Sequence, residues 1–139
     1  MFAGFVSFFL IMYGLGLGYR TELRAVNGII QLWCLYRAIR AYYARHPEYV
    51  NNYMWGVVQG MRTSAIGIGL FAIFMTLFLA LNPTFMKAVS DNSMVGPHLN
   101  PLTSSLFILA EGLIISLIGS YFFTRVSEDV PITKEDKLT

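Results

Sequence analysis

Charge is what this chain has least of. Asp, Glu, Lys and Arg make up 13% of its 139 residues, about half the share of an ordinary soluble domain. Three stretches lack charge almost entirely: residues 2–19, residues 63–86, and residues 102–124 with Glu111 as the one exception. A helix needs about 20 mostly apolar residues to span the hydrocarbon core, so each stretch is a transmembrane candidate. Cysteine is nearly absent too; the single Cys34 excludes an intramolecular disulfide and reads as a small buried hydrophobe. The basic residues are scattered, with neither the clustered stripe nor the aromatic interleaving of a nucleic-acid surface. The first apolar run has no basic n-region and no A-x-A site, so it is expected to be a retained helix rather than a signal peptide.

What is present is apolar: 55% of the side chains are hydrophobic. The sequence predicts an all-α integral membrane protein with four transmembrane helices in two antiparallel hairpins. The first predicted helix covers residues 2–17 and closes in Gly14-Leu-Gly-Leu-Gly18, which loosens the helix and permits close backbone approach. The second covers residues 23–44. Its polar residues Arg20, Arg24, Asn27, Gln31 and Cys34 fall within about 80° at 100° per residue, opposite Val26, Ile29, Ile30, Trp33 and Tyr36. That pattern suits a spanning helix with an inward polar stripe, or an interfacial helix that would leave three spans.

His46-Pro47-Glu48 ends the second helix. Tyr49, Tyr53 and Trp55 form a headgroup-level aromatic cluster before the third helix, which Asn82-Pro83 stops. The fourth helix starts after Pro101 and reaches Arg125. Residues 1–125 then form the membrane domain and residues 126–139 a flexible cytoplasmic tail, with a loop at residues 82–100 and no room for a soluble catalytic domain. The segment between the second and third helices carries Arg37, Arg40, Arg45 and Arg62, and the tail adds Arg125, Lys134 and Lys137, against Lys87 alone in the long loop. The positive-inside rule therefore puts both chain ends in the cytoplasm, with Arg20 and Arg24 as the exception.

Three places carry a likeness to known proteins: Leu35-Tyr-Arg-Ala-Ile-Arg40, Trp55-Gly-Val-Val-Gln-Gly-Met-Arg62 and Glu111-Gly-Leu-Ile-Ile-Ser-Leu-Ile118. Through them the chain resembles a family of small four-helix bacterial membrane proteins whose function is not known. The resemblance covers most of residues 20–125 and implies a four-helix fold in a bacterial inner membrane. Family members usually carry a longer first region, and no catalytic residue comes with the likeness.

Glu111 is the most informative single residue, because an acid at membrane depth needs a partner or a proton. It lies about 14 Å below the nearer interface at 1.5 Å per residue, close to the bilayer centre. Gln31 and Asn27 lie at matching depth on the second helix, with Tyr13 on the first and Thr76 on the third. These five residues are the expected intramembrane polar cluster. It would serve as a proton or cation site, or as a paired acid that fixes helix positions.

Gly56, Gly60 and Ser64 on the third helix, and Gly112, Ser116 and Ser120 on the fourth, form small-residue rows suited to close helix packing. The row on the fourth helix is centred about 140° from Glu111, so that helix calls for partners on two sides. Arg37, Arg40 and Arg62 are candidates for contact with anionic lipid or a partner carboxylate. His46 and His98 fall on opposite sides of a four-span bundle and cannot share a metal or a haem. No nucleophile can be paired with a base, and the glycine run follows an apolar helix instead of a strand, unlike a nucleotide loop. The expectation is a membrane protein without enzymatic activity, cofactor or metal. It would act as an accessory or structural subunit packed against lipids, copies of itself or other subunits. The alternative is a small oligomeric proton- or cation-linked transporter or channel centred on Glu111.

Overall fold

The computed structural model describes residues 1–18, 24–50, 52–93, 96 and 99–129. Among them the regular structure is entirely helical: α1 (Phe2–Gly14), α2 (Arg24–Arg45), α3 (Tyr53–Leu81), α4 (Pro83–Asp91) and α5 (Pro101–Asp129), with a 3-10 turn at Pro47–Tyr49. α5 is the fourth helix predicted from sequence. α3 and α5 have 29 residues each and rise about 44 Å. Among the described residues they are the two helices long and apolar enough to cross a membrane.

Four spans are not supported. α1 has 13 residues and rises about 20 Å, short of the ~30 Å hydrocarbon core. α2 has 22 residues, but Arg37, Arg40 and Arg45 confine its apolar part to residues 25–36. Two further boundaries differ from expectation. The segment 82–100, read as a loop, contains α4, because Asn82-Pro83 both stops one helix and starts the next. The Asn82 side-chain amide donates to the Phe78 carbonyl at 2.9 Å, capping α3, while the Asn82 carbonyl accepts the first α4 bond from the Met86 amide at 3.0 Å. Pro83 occupies the first turn, where its missing N–H costs nothing. At the other end, helix continues through residues 126–129 rather than breaking after Arg125; the rest of the expected tail, residues 130–139, lies outside the described residues, as does His98.

α5 begins with a reciprocal cap. The Asn100 side-chain oxygen accepts from the Thr103 amide, and the Thr103 hydroxyl accepts from the Asn100 amide, both at 2.8 Å. Two otherwise orphaned donors are thereby satisfied by the first turn itself.

α3 and α5 run antiparallel along a seam of small residues. A Cβ added at Gly56 would meet Thr124 Cγ2 at 2.6 Å, one at Gly60 would meet Ser120 Cβ at 2.9 Å, and one at Gly112 would meet Ile68 Cδ1 at 2.9 Å. α2 lies lengthwise on this pair, parallel to α5 and antiparallel to α3. Leu32 and Leu35 pack on Gly119, Ile39 on Gly60 and Tyr43 on Gly56. α1 follows α3 over half its height: Met1 packs on Gly67, the Phe5 and Phe71 rings lie 5.3 Å apart, and Phe9 meets Phe78 edge-on at 4.9 Å. Gly16, at φ +70°, takes the left-handed conformation that lets the chain leave α1.

The bundle buries polar and apolar side chains together. Gln31, Arg40, Ser64, Ser116, Ser120 and Thr124 are buried, whereas Ile29 and Trp33 on α2 are 67% and 65% exposed. Ile66, Leu70, Ile73 and Leu77 make an exposed apolar stripe along α3, and Leu106, Phe107, Ile114, Leu117 and Ile118 do the same on α5. The interior also holds Phe5, Phe9, Leu35, Ile39, Ile68, Phe71 and Met75, so the departure from a water-soluble bundle lies in the apolar outer faces.

The seam makes a direct prediction. Gly60→Val, which forces methyl groups onto Ser120 and Ile39, should cost about 1–3 kcal/mol by overpacking. Gly69→Ala, on the same helix with nothing within 4 Å of its Cβ position, should be neutral or stabilising. Unfolding midpoints of the purified variants in mixed detergent micelles, titrated with dodecyl sulfate, measure both.

Candidate functional site

The polar groups of the bundle interior meet where α2 crosses the middle of α5. Ser116 is one turn beyond Gly112, and its hydroxyl donates to the Gly112 carbonyl at 2.7 Å. Gln31, 4% exposed, reaches across from α2, its side-chain nitrogen donating to the Gly112 carbonyl at 2.7 Å and to Ser116 Oγ at 2.6 Å. A backbone carbonyl can only accept, so the amide nitrogen of Gln31 is the end that faces α5. Both of its hydrogens are used, and the Ser116 hydroxyl both donates and accepts. This closed three-residue set ties α2 to α5 through hydrogen bonds that an apolar environment cannot replace.

Above this set, towards α4, lies a cavity of about 580 Å³ lined by all five helices. Phe5 and Phe9 come from α1, Phe71 and Met75 from α3, and Phe85 and Val89 from α4. Its polar lining is sparse: Asn27 and Gln31 from α2, Ser93, and Ser104 and Glu111 from α5. Asn27 Oδ1 and Ser104 Oγ are buried without a hydrogen-bond partner among the described residues.

The structure thus gathers three of the five residues of the expected polar cluster at one cavity but does not join them as anticipated. Glu111 has an interaction partner of its own, and it stands on the exposed face of α5 among Phe107, Ile114 and Ile118. Gln31 spends its donors on Gly112 and Ser116 instead, because the inward face of α5 is the small-residue face and the carboxylate is turned away from it. Tyr13 and Thr76 are elsewhere. The Tyr13 ring packs against Phe78 at 5.1 Å and Phe85 at 5.3 Å, beside a separate pocket at the Asn82-Pro83 turn. The Thr76 hydroxyl bonds back to the Ala72 carbonyl at 2.9 Å. Matching depth fixes height in a bundle but not the direction in which a side chain points.

The two small-residue rows, Gly56, Gly60 and Ser64 on α3 and Gly112, Ser116 and Ser120 on α5, face into the bundle and are buried. Of the three arginines proposed for anionic contacts, Arg62 is exposed and Arg37 half-buried. Arg40 is 4% exposed, since it follows Ile39 on the α2 face turned to α3 and α5. It cannot present its guanidinium to an outside lipid.

Sequence reasoning passed over Ser104 and the contribution of α4. A signal existed for the helix: Phe85, Met86 and Val89 share one face at one-turn spacing directly after Pro83. For Ser104 no spacing distinguishes it from Ser105, whose hydroxyl bonds back to Pro101 at 2.9 Å.

Removing the buried amide should be felt by the fold, whereas neutralising the exposed acid should not. Gln31→Leu is expected to destabilise by roughly 1–2 kcal/mol, because Ser116 and Gly112 lose the cross-helix donor. Glu111→Gln should stay within about 0.5 kcal/mol of the parent. Circular dichroism unfolding in mild detergent distinguishes the two. Set against protein-family models, curated proteins and solved structures, the chain finds no match in any of the three.

Proposed function

We propose that this is an integral membrane protein that serves as an accessory or structural subunit of a homo- or hetero-oligomeric membrane complex. The observation that supports this reading is the exposed Ile, Leu and Phe side chains along the outer faces of α3 and α5, the two helices long and apolar enough to cross a membrane. In this reading α3 and α5 cross the bilayer, and α2, packed lengthwise between them, lies within it. Arg37, Arg40, Arg45, Arg62 and Arg125 collect where α2 and α5 finish and α3 begins, so that end is cytoplasmic by the positive-inside rule. The resemblance implies a bacterial inner membrane as its setting.

The internal small-residue seam is used within the chain, which leaves the outer apolar stripes for lipids and partner subunits. A second reading, passage of protons or cations centred on Glu111, draws on the carboxylate at the mouth of the cavity. It ranks lower, because beyond Gln31 α3 and α5 are closely packed, Gly60 against Ser120 and Gly56 against Thr124.

Blue native electrophoresis from mild detergent tests the subunit reading. The protein should migrate well above a single copy. In a Cys34→Ala background, Ile118→Cys should cross-link between copies if the partner is a second chain of the same kind, and co-purifying subunits should appear by mass spectrometry if it is not. Migration as a lone monomer without cross-links would sink the proposal.

A further inference from the structure

We propose that the cavity above the Gln31 set binds a neutral, single-chain lipid alcohol. Its hydroxyl is taken by Asn27 and Ser104, and its hydrocarbon lies among Phe5, Phe71 and Phe107. The inference needs a membrane setting for the ligand's supply and is independent of the accessory role.

Size comes first. An apolar cavity of about 150 Å³ takes up benzene, and this one, at about 580 Å³, is close to four times larger, with room for roughly 20–25 carbon atoms. One isoprenoid or fatty chain fits those limits, whereas a two-tailed phospholipid exceeds them. Volumes of this order, walled by aromatic and aliphatic side chains with a few fixed polar groups, are typical of ligand sites.

The polar lining sets the head group. Ser104 is 8% exposed, and its hydroxyl is buried without a partner among the described residues; the Asn27 side-chain oxygen is in the same state. Each such group left unsatisfied is costly, which is the usual mark of a missing partner. Gln31 has no donor left to offer, and Ser93 and Glu111, which complete the polar lining, each have an interaction partner. A fatty acid anion or a phosphate only accepts, so it could pair with the Ser104 hydroxyl but would leave the Asn27 oxygen unmet. Glu111 already has an interaction partner, so the site does not call for a cation. A hydroxyl satisfies the set: it donates to Asn27 and accepts from Ser104.

Access follows from the rim. Phe107, Glu111 and Ile114 line the cavity and are also exposed, so its mouth opens sideways at the outer face of α5. A molecule dissolved in the bilayer reaches such a mouth directly, which an aqueous metabolite does not.

The test is equilibrium binding of radiolabelled geranylgeraniol to the full-length protein in mild detergent, beside the matching hydrocarbon without the hydroxyl and beside palmitate. Saturable binding of one alcohol per chain is expected, about tenfold or more tighter than the hydrocarbon, with palmitate weaker still. The double variant Asn27→Leu/Ser104→Ala should bring alcohol and hydrocarbon to nearly equal affinity without abolishing either. Gly28→Leu should abolish both, because Gly28 lines the cavity and a Cβ there meets only Ile115 Cδ1 at 4.0 Å, so the larger side chain fills free space. Equal wild-type affinity for alcohol and hydrocarbon, or preference for palmitate, would overturn the head-group assignment. Undiminished binding by a folded Gly28→Leu protein would overturn the site itself. If that variant fails to fold, the alcohol preference of the double variant still decides.

Discussion

The close approach of α3 to α5 is the constraint on which the other contacts depend. Gly56, Gly60 and Gly112 carry no side chain where Thr124, Ser120 and Ile68 stand opposite, so the two backbones come together over most of their length. Packing and interhelical hydrogen bonds hold membrane helices together where no water is available to drive them. Because the pair is narrow on one side, α2 settles into its groove with Leu35, Ile39 and Tyr43 fully buried. The same fit brings Gln31 within reach of the Gly112 carbonyl.

The seam also explains why the cavity lies at one end. Beyond Ser64 and Gly112 the facing residues become bulky: Phe71, Met75 and Leu79 on α3, Ile108 and Leu109 on α5. Such side chains cannot close on one another as glycine and serine do. The space between them is roofed by α4 and walled by α1, whose Phe9 ring meets Phe74, Phe78 and Phe85 edge-on at 4.9–6.0 Å. Aromatic rings in that arrangement are well placed with respect to one another, yet they leave volume that the chain's own side chains do not fill.

Much of the architecture was legible because the signals for helices are local. The long charge-free runs, Asn82-Pro83, His46-Pro47 and Pro101 placed α3 and α5 closely, and the polar stripe of α2 pointed inward at Gln31 as its periodicity suggested. The orientation of Glu111 was harder to read. Its depth matched that of Gln31, but the face it occupies depends on which side of α5 the glycine row chooses, and that is decided by α3. Arg40 misled for a related reason: one residue separates it from a position that could reach the interface. The four-span count failed on length, since α1 ends at Gly14, three residues short of the expected boundary. α4 was hidden by reading a proline only as a stop.

The reciprocal cap at Asn100 and Thr103 bears on the order of assembly. A helix that completes its own first turn can form in the bilayer before any neighbour is present, and α5 is the last of the five to be synthesised. Until it arrives, the groove at Gly56 and Gly60 lacks the Ser120 and Thr124 face of α5, and the Gln31 amide of α2 lacks its carbonyl. The four helices made before it then leave a polar cleft that α5 closes.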